Sequence, residues 1–356
     1  MAAYTTIDDP EAYFQVKAYT GNYDTNAITL DGTTNMQGDL IWLKQRDGSD
    51  GWHCYDSVRG VAEQLRIDDD RAESTTSGIL ASFDTDGFTL GANNAVNESG
   101  ADQIAWVWKA GTTSGLSGGD ITPAGYSINT TSKVGIYKYR GDGTVGGDTI
   151  THGLGSAPKF VIIKQRTDAY EWAVWCDGVT ITTGLRLNNT AAETTNDFLH
   201  NTLPGASTIR LGSSTYSNAA AGTKDYVMYL FSPVQGFSKF SHYTGNGNAD
   251  GPFIYTGFKV RFVLIKNAGG VETWNIWDSK RTSSGGGNLV DKDLSTTHVR
   301  AEQSGTAGVK VVDFLSNGFK IRGSNTEINQ SGNTHIYMAF AEAPFVNSNE
   351  VPCTAR

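Results

Sequence analysis

The sequence has few basic residues, few cysteines and no long apolar run, and each shortage excludes a class of protein. Lys and Arg number 28 against 37 Asp and Glu, for a net charge of −9. A nucleic-acid-binding face is basic, so no nucleic-acid partner is expected. No stretch approaches the about 18 apolar residues of a membrane-spanning helix, and residues 1–10 lack the basic start and apolar run of a secretory signal. We therefore expect no membrane insertion.

Cysteine is also scarce, with only Cys54, Cys176 and Cys353. An odd number leaves no complete disulfide framework, and no two of the three have metal-clip spacing. Cys54 and Cys176 fall in aromatic-rich runs typical of strands, where a small buried thiol packs as a hydrophobic side chain. The 42 glycines follow no three-residue period, which excludes a collagen-like chain.

An internal repeat is the strongest feature of the sequence. Four residues lie 120 positions before a residue of the same type, in the pairs Tyr19–Tyr139, Lys44–Lys164, Leu65–Leu185 and Glu73–Glu193. A third copy begins with YTGNG at 243–247 and continues through FVLIK at 262–266 and WNIWDSKR at 274–281. The triplet RAE also recurs, at 71–73 and 300–302. The chain therefore contains three copies of one unit, each of domain size.

The repeat divides the chain and indicates its fold class. The predicted segments are β-sandwich repeat 1 at 1–111, a Gly/Ser/Thr-rich linker at 112–133, repeat 2 at 134–234, repeat 3 at 235–347 and a C-terminal tail at 348–356. Repeat 3 also carries an insertion at 282–288. Short apolar and alternating runs separated by Asp-Gly and Asn-Gly turns, without βαβ alternation, predict an all-β protein. We expect three tandem antiparallel β-sandwiches of jelly-roll type.

Enzyme signatures are missing from the sequence. It contains no Walker or H-E-x-x-H motif, and its six histidines have no metal-ligand spacing. The acidic turn at 68–70 offers oxygen ligands for calcium, or is simply a solvated turn. Its counterparts at 188–190 and 291–293 do not keep three carboxylates. We therefore predict a protein that is not an enzyme and that has neither a metal site nor a cofactor.

One charged pair recurs at a strand end and is the candidate binding site. Asp56 and Arg59 in DSVR correspond to Asp278 and Arg281 in DSKR. In one interpretation, the planar arginine fork grips a sugar or a carboxylate. In the other, the pair is a salt bridge or turn cap that fixes the strand exit. Repeat 2 has Asp177 but Thr180 in place of the arginine.

Aromatic residues supply a second, weaker indication of binding. Tyrosines without an equivalent in the other copies, Tyr126, Tyr170 and Tyr216, are candidates for exposed platforms on which sugar rings stack.

Several blocks of the sequence resemble a known family. They are TTIDDPEAYFQVKAYTGN at 5–22, LIWLKQRDGSDGWHCYDSVRG at 40–60, FDTDGFTLG at 83–91, VNESG at 96–100, AWVWKAG at 105–111 and YMAFAEAPFVNSN at 337–349. Together they look like a repeated domain of tailed-phage virion proteins, seen especially in phages of aquatic bacteria. The resemblance implies a virion structural role, commonly as a tail fibre or tail-associated adhesin, and a concanavalin-like lectin sandwich for the domain.

The expected function follows from that resemblance. We expect a phage virion protein, assembled in the host bacterial cytoplasm, that acts as a tail fibre or tail-associated host-adhesion protein with glycan-binding loops. The sequence has no coiled coil or low-complexity stalk, so a capsid decoration protein on the head is the alternative, and a polysaccharide-degrading enzyme is a third. The expected partners are other virion proteins, a host surface glycan and further copies of this chain, because avidity strengthens weak contacts.

Overall fold

The computed structural model describes residues 4–144, 146–219, 223–282, 288–305 and 309–353. The middle of the insertion predicted at 282–288, the first three residues of repeat 1 and the last three of the tail lie outside them. The all-β prediction is confirmed, because the described residues form several antiparallel sheets. Their helices are short: a 3₁₀ helix at Pro10–Ala12, α1 at Asn94–Asn97 and α2 at Thr326–Asn329. No described helix is long and apolar enough to span a membrane.

Repeat 1 contains nine strands. They are β1 (Phe14–Thr20), β2 (Asn26–Ile28), β3 (Leu40–Gln45), β4 (His53–Asp56), β5 (Glu63–Gln64), β6 (Ser74–Thr75), β7 (Leu80–Asp84), β8 (Gly87–Leu90) and β9 (Asp102–Trp108). The main sheet has the order β1-β9-β3-β4, and a second sheet has the order β2-β8-β7. A pair, β5-β6, completes the repeat.

Repeat 2 begins earlier than predicted. Its strands are β10 (Gly125–Asn129), β11 (Val134–Arg140), β12 (Thr149–Thr151), β13 (Phe160–Gln165), β14 (Ala173–Cys176), β15 (Thr183–Arg186), β16 (Thr194–Thr195), β17 (Thr208–Arg210) and β18 (Asp225–Phe231). The main sheet has the order β10-β11-β18-β13-β14-β15-β16, beside the pair β12-β17. Strand β10 lies inside the segment 112–133, so that segment is not only a linker but adds an edge strand.

Repeat 3 has the longest strands. They are β19 (Ser238–Thr244), β20 (Phe253–Tyr255), β21 (Phe258–Asn267), β22 (Trp274–Asp278), β23 (Leu289–Val290), β24 (Lys292–Ser295), β25 (Gln303–Ser304), β26 (Val312–Leu315), β27 (Gly318–Ile321) and β28 (Thr334–Pro344). The main sheet has the order β19-β28-β21-β22-β24-β25, and the second sheet β20-β27-β26-β23. All three main sheets therefore contain one antiparallel four-strand arrangement, and each is built on a buried apolar strand.

Both faces of each main sheet are buried. Leu40 and its neighbour Ile41 belong to different core clusters, as do Phe262 and Val263, because successive strand residues point to opposite faces. Leu40 and Phe262 share their cluster with Phe160 of repeat 2. The clusters of Ile41 and Val263 contain residues of the second sheet of the same repeat. One face of every main sheet thus contributes to a core that all three repeats share.

An aromatic triangle lies in the shared core. Trp108, Phe231 and Phe340 occupy equivalent positions on the last strands of the three main sheets. Their ring centroids are 6.3 Å (Trp108 to Phe231), 6.2 Å (Phe231 to Phe340) and 5.9 Å (Trp108 to Phe340) apart, all edge to face. Three equivalent residues in mutual contact place a pseudo-three-fold axis through the triangle.

The same tryptophan contact closes every boundary between two repeats. An indole N–H of one repeat donates to a backbone carbonyl of another, in the pairs Trp172–Arg66 (2.7 Å), Trp274–Arg186 (2.7 Å) and Trp52–Ser295 (2.9 Å). We call these boundaries the first interface (repeats 1 and 2), the second interface (repeats 2 and 3) and the third interface (repeats 3 and 1). Each repeat contacts both others, so the three copies form a closed ring.

A glutamate contact repeats around the ring in the same way. A glutamate backbone N–H donates to a carbonyl across the interface, in the pairs Glu73–Arg166 (3.0 Å), Glu193–Ala268 (2.8 Å) and Glu302–Arg46 (2.7 Å). At the first and third interfaces the arginine side chain also pairs with the glutamate carboxylate through two nitrogens. Ala268 cannot form such a pair, so the second interface lacks it.

Candidate functional site

The four residues predicted from the DSVR and DSKR blocks form two buried ion pairs. Arg59 Nε lies 2.5 Å from Asp56 Oδ2, and Arg281 Nε lies 2.8 Å from Asp278 Oδ2, and all four side chains are 0% exposed. The second carboxylate oxygen of each pair accepts backbone N–H groups of the following turn. This corrects the sugar-gripping interpretation, because a ligand from solvent has no surface of these side chains to contact. The structure assigns them to turn capping.

A donor from a neighbouring repeat completes each pair. The Tyr229 hydroxyl donates to Asp56 Oδ2 over 2.7 Å, and Trp106 Nε1 donates to Asp278 Oδ2 over 3.1 Å. Burial by itself lowers the pKa of Arg59. The nearby negative charges, Asp56 first among them, outweigh that effect, so the pKa of Arg59 lies well above its usual value. Arg59 therefore stays charged, and both ion pairs join two repeats rather than bind a ligand.

Strand pairing changes the predicted equivalence in repeat 2. Cys176 and Val179 occupy the positions of the aspartate and arginine, one residue before the Asp177 and Thr180 that the sequence comparison aligns with them. The position of the donor from the neighbouring repeat is taken by Met338, which belongs to the same core cluster as Cys176. Met338 has no hydrogen-bond donor. The second interface is thus apolar where the first and third interfaces are charged.

Three equivalent lysines, Lys44, Lys164 and Lys266, are buried beside the interfaces. The Lys164 ammonium donates to two carbonyls of its own repeat and to the Asp70 carbonyl of repeat 1, over 3.1 Å. Lys266 likewise donates to the Thr190 carbonyl of repeat 2, over 3.2 Å. Burial lowers the pKa of each lysine to about 8. Lys164 and Lys266 thus donate hydrogen bonds across an interface, whereas Lys44 donates only within its own repeat.

Two of the predicted stacking residues meet in a depression at the first interface. It has a volume of about 240 Å³, and Asp70 of repeat 1 lines it together with Tyr170, Glu171 and Tyr216 of repeat 2. The tyrosine rings meet edge to face at 5.1 Å, and the Tyr216 hydroxyl donates to Glu171 over 3.0 Å. Arg186 covers one face of the Tyr216 ring at 4.1 Å. The depression thus combines aromatic surface with two carboxylates.

The third predicted stacking residue has a structural contact elsewhere. The Tyr126 hydroxyl accepts the backbone N–H of Leu116 over 2.8 Å, and both side chains pack against the shared core. Tyr126 therefore stabilises the segment 112–133 internally and packs it against the shared core.

A larger depression lies at the third interface. It has a volume of about 480 Å³ and is lined by Asp68 of repeat 1 and by Thr297, His298, Val299 and Arg300 of repeat 3. Asp68 belongs to the acidic turn and Arg300 to the recurring RAE triplet, but neither motif predicts a cavity. Its walls come from residues that are 229 to 232 positions apart along the chain, and only ring closure brings them together.

In the acidic turn at 68–70, Asp68 and Asp69 make hydrogen bonds or ion pairs within repeat 1, and Asp70 makes one across the first interface. Asp68 Oδ1 accepts the Trp52 backbone N–H over 2.6 Å, and Asp69 pairs with Arg71. The Asp70 carbonyl accepts a hydrogen bond from Lys164 of repeat 2. Within the described residues, no three His, Cys, Asp or Glu side chains are placed to hold one metal ion.

The sequence comparison found two of the buried lysines but not their role. In the sequence, Lys44 and Lys164 mark the repeat, and an ammonium at the end of an apolar strand is expected to reach water. Their acceptors could not be identified, since they lie in another repeat.

The family comparison gives a match over most of the chain. A family model described as a domain of unknown function, DUF7483, matches residues 9–344. No curated protein matches this chain. No solved structure matches it either.

Proposed function

The chain belongs to the DUF7483 family, and we propose that it is a non-enzymatic structural and adhesion protein of a phage particle. The closed ring of three repeats carries the proposal. The charged side chains of Asp56, Arg59, Asp278 and Arg281 form buried ion pairs, as expected of a rigid scaffold. Virion attachment points are symmetric, and a pseudo-three-fold ring suits them. The blocks that resemble tailed-phage virion proteins support the same proposal.

Each repeat is proposed to be a jelly-roll-like sandwich. Support comes from repeats 1 and 3, where a separate core cluster contains residues of both the main sheet and the second sheet. In this view the sandwiches are not independent units, because their main sheets also face the shared core.

The depression at the first interface is proposed to hold a host surface glycan. Tyrosine rings pack against the apolar face of a sugar, and carboxylates accept hydrogen bonds from its hydroxyl groups. Tyr170, Tyr216 and Glu171 offer both kinds of contact within one depression. A volume of about 240 Å³ suits a single sugar unit, so strong attachment would come from many copies on one particle.

A tail location is the first proposal, and capsid decoration is the second candidate. The observation that favours decoration is the ring itself, because the described residues form one closed body without a coiled-coil shaft. A compact ring with equivalent faces fits a symmetric capsid site as well as a tail site. In either location the partners are other virion proteins and further copies of this chain.

Immunogold labelling of purified particles tests the location. Label confined to the tail supports the tail-associated protein, and label on the head supports decoration. Absence of the chain from the protein content of purified particles would overturn both.

Adhesion is tested with the purified chain and host cells. We expect Tyr170→Ala to weaken cell binding about tenfold, because it removes a stacking surface. Tyr126→Ala is the matched control, since Tyr126 lies outside the depression, and it should bind as the parent chain does. If both variants bind host cells equally well, the depression at the first interface is not the glycan site.

A further inference from the structure

A cluster of four polar side chains lies inside the sandwich of repeat 3. Asn275 on β22 faces the second sheet, since Trp277 two residues later belongs to the core cluster between the two sheets. Lys310 comes just before β26, Asp293 lies on β24 and Glu327 lies on α2. Asn275 is 0% exposed and Asp293 is 1% exposed, and the side chains of Lys310 and Glu327 are 11% and 19% exposed. The cluster is thus largely closed to water.

The Lys310 ammonium is the centre of this cluster. Its Nζ donates to Asn275 Oδ1 over 2.7 Å and to Asp293 Oδ2 over 3.0 Å. It also pairs with the Glu327 carboxylate. One amine therefore contacts one amide and two carboxylates at the same time.

The other repeats build the same part of the sandwich without these groups. The counterparts in repeat 1 of Asn275, Asp293, Lys310 and Glu327 include no lysine and no carboxylate: they are His53, Gln64, Gly78 and Ala95. In repeat 2 the counterpart of Asn275 is Ala173. The sandwich therefore forms without the cluster, and burying its charges has a cost that packing alone does not explain.

The contacts in the cluster meet the requirements for attack of an amine on an amide. Asn275 Cγ is bonded to the oxygen that Lys310 contacts, so the amine and the carbonyl group are held as neighbours. The Thr273 hydroxyl also donates to Asn275 Oδ1, over 3.2 Å, and stabilises negative charge that develops there. Burial raises the pKa of the Glu327 carboxyl, but the Lys310 charge and hydrogen bonds from Lys310 and Asn275 hold this pKa below its usual value. Glu327 is therefore a carboxylate that can accept a proton from Lys310 Nζ and pass it to Asn275 Nδ2.

We propose that repeat 3 forms an isopeptide bond between Lys310 and Asn275, in a reaction of the chain on itself. Glu327 takes a proton from the Lys310 ammonium, and the neutral amine attacks Asn275 Cγ. The new bond from Nζ to Cγ forms as the carbonyl electron pair moves to Oδ1, and the return of that pair breaks the bond from Cγ to Nδ2. Nδ2 leaves as ammonium with the two protons that Nζ gives up, so atoms and charge balance. The step needs no oxidant and no cofactor.

Asn275 is the acceptor in this reaction, although Asp293 also contacts the amine. A carboxylate resists attack by an amine, and the Asp293 carboxylate is engaged by Arg300 as well as by Lys310. A primary amide is neutral, and its nitrogen leaves once it is protonated. Asp293 therefore orients the Lys310 amine, and Asn275 is the group that reacts.

The bond joins the two sheets of repeat 3 covalently. Asn275 lies on the main sheet, and Lys310 precedes the β26–β27 hairpin of the second sheet. The closed loop restricts the unfolded chain as a disulfide does, although the three cysteines of this chain are free. Each molecule reacts once and acts on no other molecule. The inference does not depend on the proposed glycan site or on the location in the particle.

Mass spectrometry of the intact, purified chain tests the proposal. We expect a mass lower than that of the unmodified sequence by one ammonia, about 17 Da, and a branched tryptic peptide that joins Lys310 to Asn275. Lys310→Met and Glu327→Gln should keep the full mass, because they remove the nucleophile and the proton acceptor. Lys320→Met is the matched control and should lose ammonia as the parent does, since the Lys320 ammonium contacts the Gly251 carbonyl and the Asp250 carboxylate.

Each outcome decides the proposal. The branched peptide in the parent and in Lys320→Met, and its absence from Lys310→Met and Glu327→Gln, support it, provided that the variants keep the parent circular dichroism spectrum. A parent chain of full mass overturns it, as does ammonia loss at another residue or loss of about 18 Da, the mass of a water released by an aspartate. Ammonia loss that persists in Glu327→Gln overturns the role of Glu327. The parent mass decides even where a variant does not fold.

Discussion

A charged pair in a protein core is stable only when every charge has a partner, because removing ions from water costs several kcal/mol each. Asp56 and Arg59 meet this condition through each other, through the following turn and through Tyr229 of repeat 2. Arg59 also pairs with Glu73. At the equivalent positions of the second interface, Cys176, Val179 and Met338 carry no charge. The charged and the uncharged residue sets can therefore be exchanged by mutation.

Breaking the charged set one residue at a time should destabilise the protein strongly. We expect Arg59→Val alone to lower the free energy of unfolding by about 3–5 kcal/mol, because Asp56 is then left buried without its ion-pair partner. The triple variant Asp56→Cys, Arg59→Val, Tyr229→Met copies the second interface and should recover most of the loss, since Asp56 and its two partners change together and Glu73 keeps its pair with Arg166. Urea unfolding of both variants measures the difference. A triple variant less stable than Arg59→Val would show that the interfaces are not equivalent.

Two buried histidines predict sensitivity to acid. Burial lowers the pKa of His53 to about 3 and that of His335 to about 4. Below about pH 6.5 the unfolded chain binds protons that the folded chain does not, so the free energy of unfolding falls as pH falls towards 4. His335→Gln should flatten this dependence by up to about 1.4 kcal/mol per pH unit. His242→Gln, at an exposed position, is the control for the substitution itself.

At the scale of elements, the sequence predicts strands well and their partners poorly. The apolar runs at 40–44, 160–164 and 262–266 predict buried strands, and the structure has β3, β13 and β21 there. The runs are apolar throughout because both faces of each main sheet are buried. Repeat spacing also identifies equivalent positions, apart from the one-residue shift at Cys176.

The edge strand, the buried ion pair and the depression at the third interface depend on contacts that no local sequence pattern encodes. Strand β10 lies in a Gly- and Ser-rich segment, where composition predicts a linker, and it forms because β11 offers a free edge. For the Asp56–Arg59 pair the sequence leaves a ligand site and a salt bridge as alternatives, since nothing nearby in sequence supplies Tyr229. The depression at the third interface is likewise invisible until the ring closes. The contacts that sequence alone could not predict lie mainly at the interfaces between repeats.

The three lysines predict a rise in stability at alkaline pH. Burial lowers the pKa of Lys266 to about 8, whereas an unfolded lysine titrates near about 10.4. Between these values the unfolded chain binds more protons, so the free energy of unfolding increases with pH. Lys266→Met removes one such group. The stability difference between parent and variant should shift by about 2–3 kcal/mol in favour of the parent between pH 7.5 and 10.

This comparison isolates the lysine, because Cys54 and the buried tyrosines titrate identically in both proteins. Denaturant titrations at a series of pH values give the two curves. Parallel curves would mean that the Lys266 ammonium is held by its carbonyl acceptors at its ordinary affinity for protons.

At the scale of the whole molecule, the shared core determines how the chain unfolds. Each main sheet buries one face against the other two repeats, so a repeat removed from the ring would expose that face to water. The loss of apolar burial and of the tryptophan and glutamate contacts would be large. The three repeats should therefore unfold together, unlike domains joined only by linkers.

A cavity at the aromatic triangle tests that cooperativity. Phe340→Ala should lower the free energy of unfolding by about 3–5 kcal/mol, while tryptophan fluorescence and circular dichroism still report one coincident transition. Phe253→Ala is the control, because Phe253 is 45% exposed and its loss should cost less than about 0.5 kcal/mol. If the repeats were independent, the Phe340 variant would melt in two steps, with repeat 3 first and the others at the parent midpoint. The triangle joins all three main sheets, so that the cavity weakens repeats 1 and 2 as much as repeat 3.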